Sequence, residues 1–298
     1  MTIKFHCPHC GAVIGFADKH RGKRAHCTTC GQHFIIPSES DATPEKAKPP
    51  EEKGNPLPGF YRAALKDSWK LFLRAGNATG LVFVAAAVGF KFFTGHTDYS
   101  CDIGGFRFQA PTGLVITLAA WGCLFWYYME IIRSTAVGVE ELPDVDMGDL
   151  FGFIWNIVKS LITFTFALVV VLLPCIVYLG LTTEQGVVSH ILALIGLFAF
   201  PMAILIVSIS GDVTMVFRVD HILRSIAKAF WPYLVVVALF VVAWELQLRT
   251  VEYGDLLGRG KSVVGFHLLA KLVAQMVALI AIRSIGLFYR HYNCHLRW

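Results

Sequence analysis

Between residues 78 and 288 the chain alternates long apolar stretches with short polar ones. Six stretches recur, at about 78–94, 112–132, 158–180, 188–210, 232–248 and 263–288. A helix needs roughly 20 apolar residues to cross the ~30 Å hydrocarbon core of a bilayer. One such run could be a buried soluble helix, but six exclude that reading. The pattern predicts an all-α polytopic domain over 59–298 with about six transmembrane helices. Amphipathic segments at 59–76, 146–157 and 220–231 lead into the first, third and fifth spans. Each unit then reads as a lead-in, a span, a short loop and a second span. That is three helical hairpins with a weak repeat near a period of about 75 residues. "MEIIRSTAVG" closing the second span and "IAIRSIGLFY" closing the sixth carry the same suggestion.

In the first lead-in, Arg62, Lys66, Lys70 and Arg74 recur at every fourth position, with Tyr61, Leu65, Trp69 and Phe72 beside them. A basic amphipathic helix of this kind suits the interface with anionic lipid. Packing of the same helix on the bundle is its competitor.

Before residue 59 the pattern changes twice. Residues 38–58 hold five prolines and eight charged side chains, which cannot form a core and predict a flexible tether. Residues 1–37 show short strand-like alternations around Ile3 and Phe5, Val13 to Phe16, and Phe34 to Ile36.

Composition confirms the class. Of 298 residues 55% are hydrophobic and 16% charged, against about 25% charged in soluble domains. The start lacks an apolar signal region, so the first span is expected to act as the insertion signal. Lys and Arg gather at positions 62–74, 133, 159, 218–228, 290 and 297, while the opposite loops hold Arg107, Arg249, Arg259 and Lys261. By the positive-inside rule both termini face the cytosol, with the 249–261 loop the weakest support.

Of eight cysteines, four cluster: Cys7, Cys10, Cys27 and Cys30, in two C-x-x-C pairs separated by 16 residues. Each pair presents two sulfurs to one side of a tetrahedral Zn²⁺, and Gly11 and Gly31 allow the tight turns that follow. The spacing lies in the range of a structural zinc site rather than a redox motif. A module of about 36 residues also needs such a staple to fold. Cys101, Cys123, Cys175 and Cys294 are scattered and suggest no disulfide framework.

Cys7-Pro8-His9-Cys10, Gly22 through Gly31, and Phe34-Ile35-Ile36-Pro37 together resemble the short zinc ribbon found at the N-terminus of many bacterial proteins. His26 stands where that pattern usually has arginine. The resemblance implies one structural Zn²⁺ on Cys7, Cys10, Cys27 and Cys30 and no catalytic residue. The basic run Lys19 to Arg24 lacks interleaved aromatics for stacking bases, and the zinc centre's own charge of about −2 offsets much of it, which argues against nucleic acid. The membrane half resembles uncharacterised multi-pass bacterial membrane proteins at "GVEELPDVDMGDLFGFI" (138–154) and "GLFYRHYNCHLRW" (286–298), which implies a helical domain of no known activity.

Charged side chains inside spans are costly and often functional. Glu130, Arg133 and Arg283 lie near the cytosolic ends, where snorkelling suffices. Glu245, His267 and Lys271 are the candidate intramembrane polar site, with a Glu245–Lys271 ion pair expected if spans five and six are neighbours. Pro174 and Pro201 would kink spans three and four. The acidic group Glu140, Glu141, Asp144, Asp146 and Asp149 reads as a solvated turn and a helix cap. No H-E-x-x-H, G-x-S-x-G or P-loop occurs. The sequence therefore leads to a non-enzymatic protein of the bacterial inner membrane. Its cytosolic zinc ribbon would dock or regulate a protein partner, and a transporter component with a regulatory ribbon is the alternative.

Overall fold

The structure is a computed structural model that describes residues 2–7, 12–17, 24–26, 33–35, 56–103, 106–145, 149–182 and 186–296. The chain divides into two compact units, Met1–Lys53 and Gly54–Trp298.

In the first unit β1 (Thr2–His6) pairs antiparallel with β2 (Val13–Ala17), in register from Thr2 opposite Ala17 to His6 opposite Val13. Likewise β3 (Arg24–His26) pairs antiparallel with β4 (His33–Ile35). Phe5 and Cys7 are buried, and the Cys7 amide donates to the Ala12 carbonyl at 2.8 Å to close the first hairpin. The strand-like alternations of the sequence thus fall on strands. Cys10, Cys27, Cys30 and most of the 38–58 tether lie outside the described residues.

The second unit is helical. It runs α1 (Phe60–Leu65), α2 (Ala78–Thr94), α3 (Thr112–Ala136), α4 (Leu150–Thr182), α5 (Val187–Ser210), α6 (Val219–Lys228), α7 (Phe230–Leu248) and α8 (Lys261–Tyr292). Among the described residues six helices are long and apolar enough to cross a membrane. Their outer faces carry Ile176, Val177, Leu194, Ile195 and Val242, each about half exposed or more. In water such faces would aggregate; in a bilayer they are solvated by lipid tails. The chain is accordingly a multi-pass membrane protein.

Consecutive spans α2 and α3, α4 and α5, and α7 and α8 pack on each other, and α3 and α8 also meet at the centre. At one end of the bundle, here called the terminal end, the second unit's first and last turns come together. The Leu57 amide donates to the His291 carbonyl at 2.9 Å, and the Phe60 ring packs on Phe288, His291 and Tyr292. Trp69, Trp155 and Trp231, one from each lead-in, are 52%, 66% and 71% exposed. Three tryptophans in corresponding places match the interfacial aromatic belt of membrane proteins.

Four details depart from the sequence reading. The first lead-in is not one helix: α1 gives way to 3₁₀ turns at Asp67–Leu73 and Ala75–Asn77. The Ser68 hydroxyl, donating to the Ala63 carbonyl at 2.9 Å, and the Asn77 amide, donating to the Leu71 carbonyl at 2.8 Å, hold the broken path together. Its Phe60, Ala64, Ser68 and Leu71 are buried, while Tyr61, Leu65 and Trp69 stay exposed, so it both packs and presents an apolar side outward. The second lead-in, by contrast, is fused to its span. No proline or glycine interrupts 153–173, and α4 runs for 33 residues, about 50 Å at 1.5 Å per residue.

Between α2 and α3, at the opposite or hairpin end, stands an antiparallel pair β5 (Tyr99–Ile103) and β6 (Phe106–Ala110) instead of a plain loop. Gly104-Gly105 separate the two strands in the sequence, and Gly-Gly is a pair favoured between antiparallel strands. Finally, Arg283 does not snorkel. It is buried, and its guanidinium donates to the Glu140 carbonyl at 3.0 Å. Arg133 reaches the Ser208 carbonyl at 2.7 Å, in the last turn of α5, and Glu130 at 3.3 Å. The expected helix cap is present: Asp149 accepts from the Gly152 amide at 3.2 Å.

Both prolines sit within continuous helices. Pro201 leaves the Leu197 carbonyl without its helical donor, and the Tyr233 hydroxyl of α7 donates to the adjacent Phe198 carbonyl.

The α3–α8 contact depends on a glycine. A Cβ on Gly286 would lie 2.7 Å from Thr135 Cβ and 2.8 Å from the Ile132 carbonyl oxygen, so the backbones touch there. A Gly286→Ala variant is expected to lose about 1–3 kcal/mol, toward the upper end because backbone obstructs it. Gly89→Ala, whose new methyl meets nothing within 4 Å, should be neutral or slightly stabilising. Thermal unfolding of the detergent-solubilised variants side by side checks this, and equal midpoints would remove the close approach as a stability determinant.

Candidate functional site

At the hairpin end, Lys91 in the last turn of α2, Lys271 near the start of α8 and Glu252 in the α7–α8 connection converge. Glu252 accepts from Lys91 Nζ at 2.9 Å and is ion-paired with Lys271 Nζ. The side chains of Lys91 and Lys271 are 15% and 5% exposed, that of Glu252 46%. Each ammonium also faces a ring. Lys91 Nζ lies 5.0 Å from the Trp121 centroid and Lys271 Nζ 5.3 Å from that of Phe92, within cation–π range.

Local packing places Glu252 there. Tyr253, opening the short 3₁₀ turn Tyr253–Leu256, sets its ring against Phe92, Phe93 and His96 at 5.8, 5.4 and 5.3 Å. This fixes the connection onto the end of α2 and turns the preceding carboxylate toward the lysines. One turn along α8 from Lys271, the buried Gln275 accepts from the Gln247 side-chain amide of α7 at 2.7 Å and donates to the Tyr128 hydroxyl of α3. Polar groups thus link α2, α3, α7 and α8 inside the bundle.

Beside the cluster lies a cavity of about 530 Å³. Its walls include Trp121, Phe125, Phe164, Phe240 and Trp244, and Lys91, Gln247, Thr250 and Glu252 stand at its hairpin end. Phe125 and Phe164 stack face to face at 3.9 Å, which joins the walls contributed by α3 and α4.

Burial pushes the Glu252 carboxyl up, but bonds from Lys271 and then Lys91 outweigh it, and the net displacement is below the ordinary glutamate value of 4.5. Glu252 is therefore a carboxylate at neutral pH, facing the two lysines. Removing one partner from a buried pair typically costs about 3–5 kcal/mol; Glu252 is nearly half exposed, which screens the interaction and lowers that figure.

Of the residues singled out in the sequence, Lys271 belongs to this cluster and Glu245 does not. Glu245 bonds Arg249 at 2.9 and 2.7 Å on the exposed side of the helix end, so the expected Glu245–Lys271 pair is replaced by Glu252–Lys271. Glu245 is satisfied one helical turn along its own chain, whereas Tyr253 brings Glu252 inward. His267 is half-buried and sets its ring edge-on to Phe266 at 5.7 Å. Sequence reasoning missed Lys91 and Glu252. Lys91 was the readable one, a lone charge among Phe90, Phe92 and Phe93; Glu252 sits in a loop whose course no periodicity gives.

For the metal site, Cys7 is buried at the end of β1, and Cys10, Cys27 and Cys30 lie outside the described residues. Among the described residues no three metal-ligating side chains come together. A scan of family profiles, a search of curated proteins and a search of solved structures each find no match.

Removing the Glu252 carboxylate should leave two buried lysines unopposed. Glu252→Gln is expected to cost about 2–4 kcal/mol, and Lys271→Met clearly less. Glu245→Gln, at an exposed pair, should cost under about 1 kcal/mol. Because the folded-state carboxyl titrates below its unfolded value, its stabilisation is present above pH ~4.5 and is lost as pH falls through the lowered folded value. The gap between wild type and Glu252→Gln should close correspondingly. Unfolding midpoints measured from pH 7 to pH 3 check both statements, and a Glu252→Gln protein as stable as Glu245→Gln would contradict the first.

Proposed function

We propose that the protein is a non-enzymatic, multi-pass protein of the bacterial inner membrane with both termini in the cytosol. Its N-terminal unit is a structural-zinc ribbon that docks a protein partner. One observation carries this reading. The two C-x-x-C pairs fall in the segments, 7–12 and 27–32, that join the paired strands of two antiparallel hairpins. Two knuckles at the turns of two hairpins are what a four-thiolate zinc site requires. The buried thiol position of Cys7 suits a ligand in a closed site. Cys7, Cys10, Cys27 and Cys30 would hold the ion, which supplies folding energy to a unit too small to fold on its apolar core.

The tether at 38–58, dense in proline and charge, would let such a ribbon search for its partner from a fixed membrane address. A transporter with a regulatory ribbon is the second reading, and the Lys91–Glu252–Lys271 cluster is the observation in its favour.

Partner identification by mass spectrometry from native membranes decides between them. Intact protein is compared with a Cys7→Ser/Cys10→Ser variant at matched expression, with bound zinc quantified in both. Docking requires about one zinc per chain in the intact protein and joint loss of zinc and a defined partner set in the variant. If zinc is lost and the partners stay the same, the ribbon is no docking module and transport assays take precedence.

A further inference from the structure

We propose that the cavity beside the charged cluster binds an anionic phospholipid, with the phosphate at Lys91 and one acyl chain along Trp121, Phe125 and Phe164. The cavity is a half-open cleft of about 530 Å³, in the range of ligand sites, about 300–1,000 Å³. Its aromatic walls offer water few partners, and apolar cavities of this sort take up apolar occupants. In a bilayer the occupant at hand is an acyl chain.

Charge selects the headgroup. The cluster sets two lysines against one carboxylate. Lys271 Nζ meets Glu252 and finds no further hydrogen-bond acceptor among the described residues. Asp255, exposed in the same connection, offers only a solvent-screened attraction. Glu245 is committed to Arg249. One positive charge is left over on two lysines whose side chains are largely shielded from water, where an uncompensated charge is expensive.

An anionic phosphate cancels it. Lys91 is the group placed to receive that phosphate: it lines the cavity, its ammonium lies over the Trp121 ring, and one donor to Glu252 leaves others free. A zwitterionic headgroup adds no net charge. Free phosphate supplies the charge but leaves the aromatic channel empty.

The full-length protein is reconstituted in vesicles of equimolar phosphatidylglycerol and phosphatidylcholine with identical chains, then extracted, and its retained lipid is identified by native mass spectrometry. Wild type should retain phosphatidylglycerol over phosphatidylcholine by about fivefold or more, the attraction of one lysine for an anionic headgroup. Lys91→Gln should bring that ratio to about one, and Lys91→Arg should restore it. Ala278→Phe, which fills the cavity wall, should remove both lipids. Arg249→Gln, a charge lost outside the cavity, should behave as wild type, and millimolar inorganic phosphate should displace nothing.

Equal retention of the two lipids by wild type overturns the proposal without recourse to any variant. So does unchanged selectivity in a Lys91→Gln protein that elutes as a monodisperse species, full retention by a folded Ala278→Phe protein, or displacement by phosphate alone.

Discussion

The contact between α3 and α8 is the constraint on which the rest of the membrane domain depends. In a bilayer, exclusion of water no longer drives helices together, and close steric fit with internal hydrogen bonds takes its place. This seam has both. Gly286 lets the backbones meet near the terminal end, and the Gln275–Tyr128 bond crosses the middle. Near the hairpin end Lys271 draws in Glu252, and with it the α7–α8 connection and Lys91 of α2. The remaining spans are arranged around these two helices, α2 and α4 with the least buried faces and α5 with the most buried. Displacing α3 from α8 would therefore disturb the charged cluster and the cavity together.

How much of this was legible in the sequence follows from which forces act locally. The six spans were readable because bilayer thickness sets a minimum apolar length, and every span met it within a few residues. The strands around the knuckles were readable from alternation. The three lead-ins were readable too, and the exposed Trp69, Trp155 and Trp231 give their correspondence a physical marker. What failed was pairing across space. Glu245 looked like the partner of Lys271 because it ends the neighbouring span, yet a residue one turn away, Arg249, satisfies it. Glu252 was invisible because its position depends on Tyr253 docking against Phe92 and Phe93, a contact between segments about 160 residues apart.

Arg283 teaches the same lesson. Its distance from the end of the span suggested a side chain reaching into solvent, but the 138–145 segment folds back to meet it. The Asn77 side chain accepts from the Leu142 amide at 2.9 Å, and the Tyr127 hydroxyl donates to the Pro143 carbonyl at 3.2 Å. An acidic segment that looked solvated is thus partly built into the bundle by polar groups on α3, on α8 and just before α2. Charge at the two ends is organised differently: at the terminal end arginines bond backbone carbonyls, and at the hairpin end lysines share a carboxylate.

The bond between Leu57 and His291, with Phe60 seated on the last turns of α8, has a mechanical consequence. The chain enters the membrane domain at this clasp. Tension along the chain from that side is delivered first to α1 and then, through Phe60, to the helix at the bundle's centre, while α4 and α5 are bypassed. The clasp acts as a lever point: load applied outside the bilayer bears on a helix that touches the seam, the cavity and the charged cluster alike.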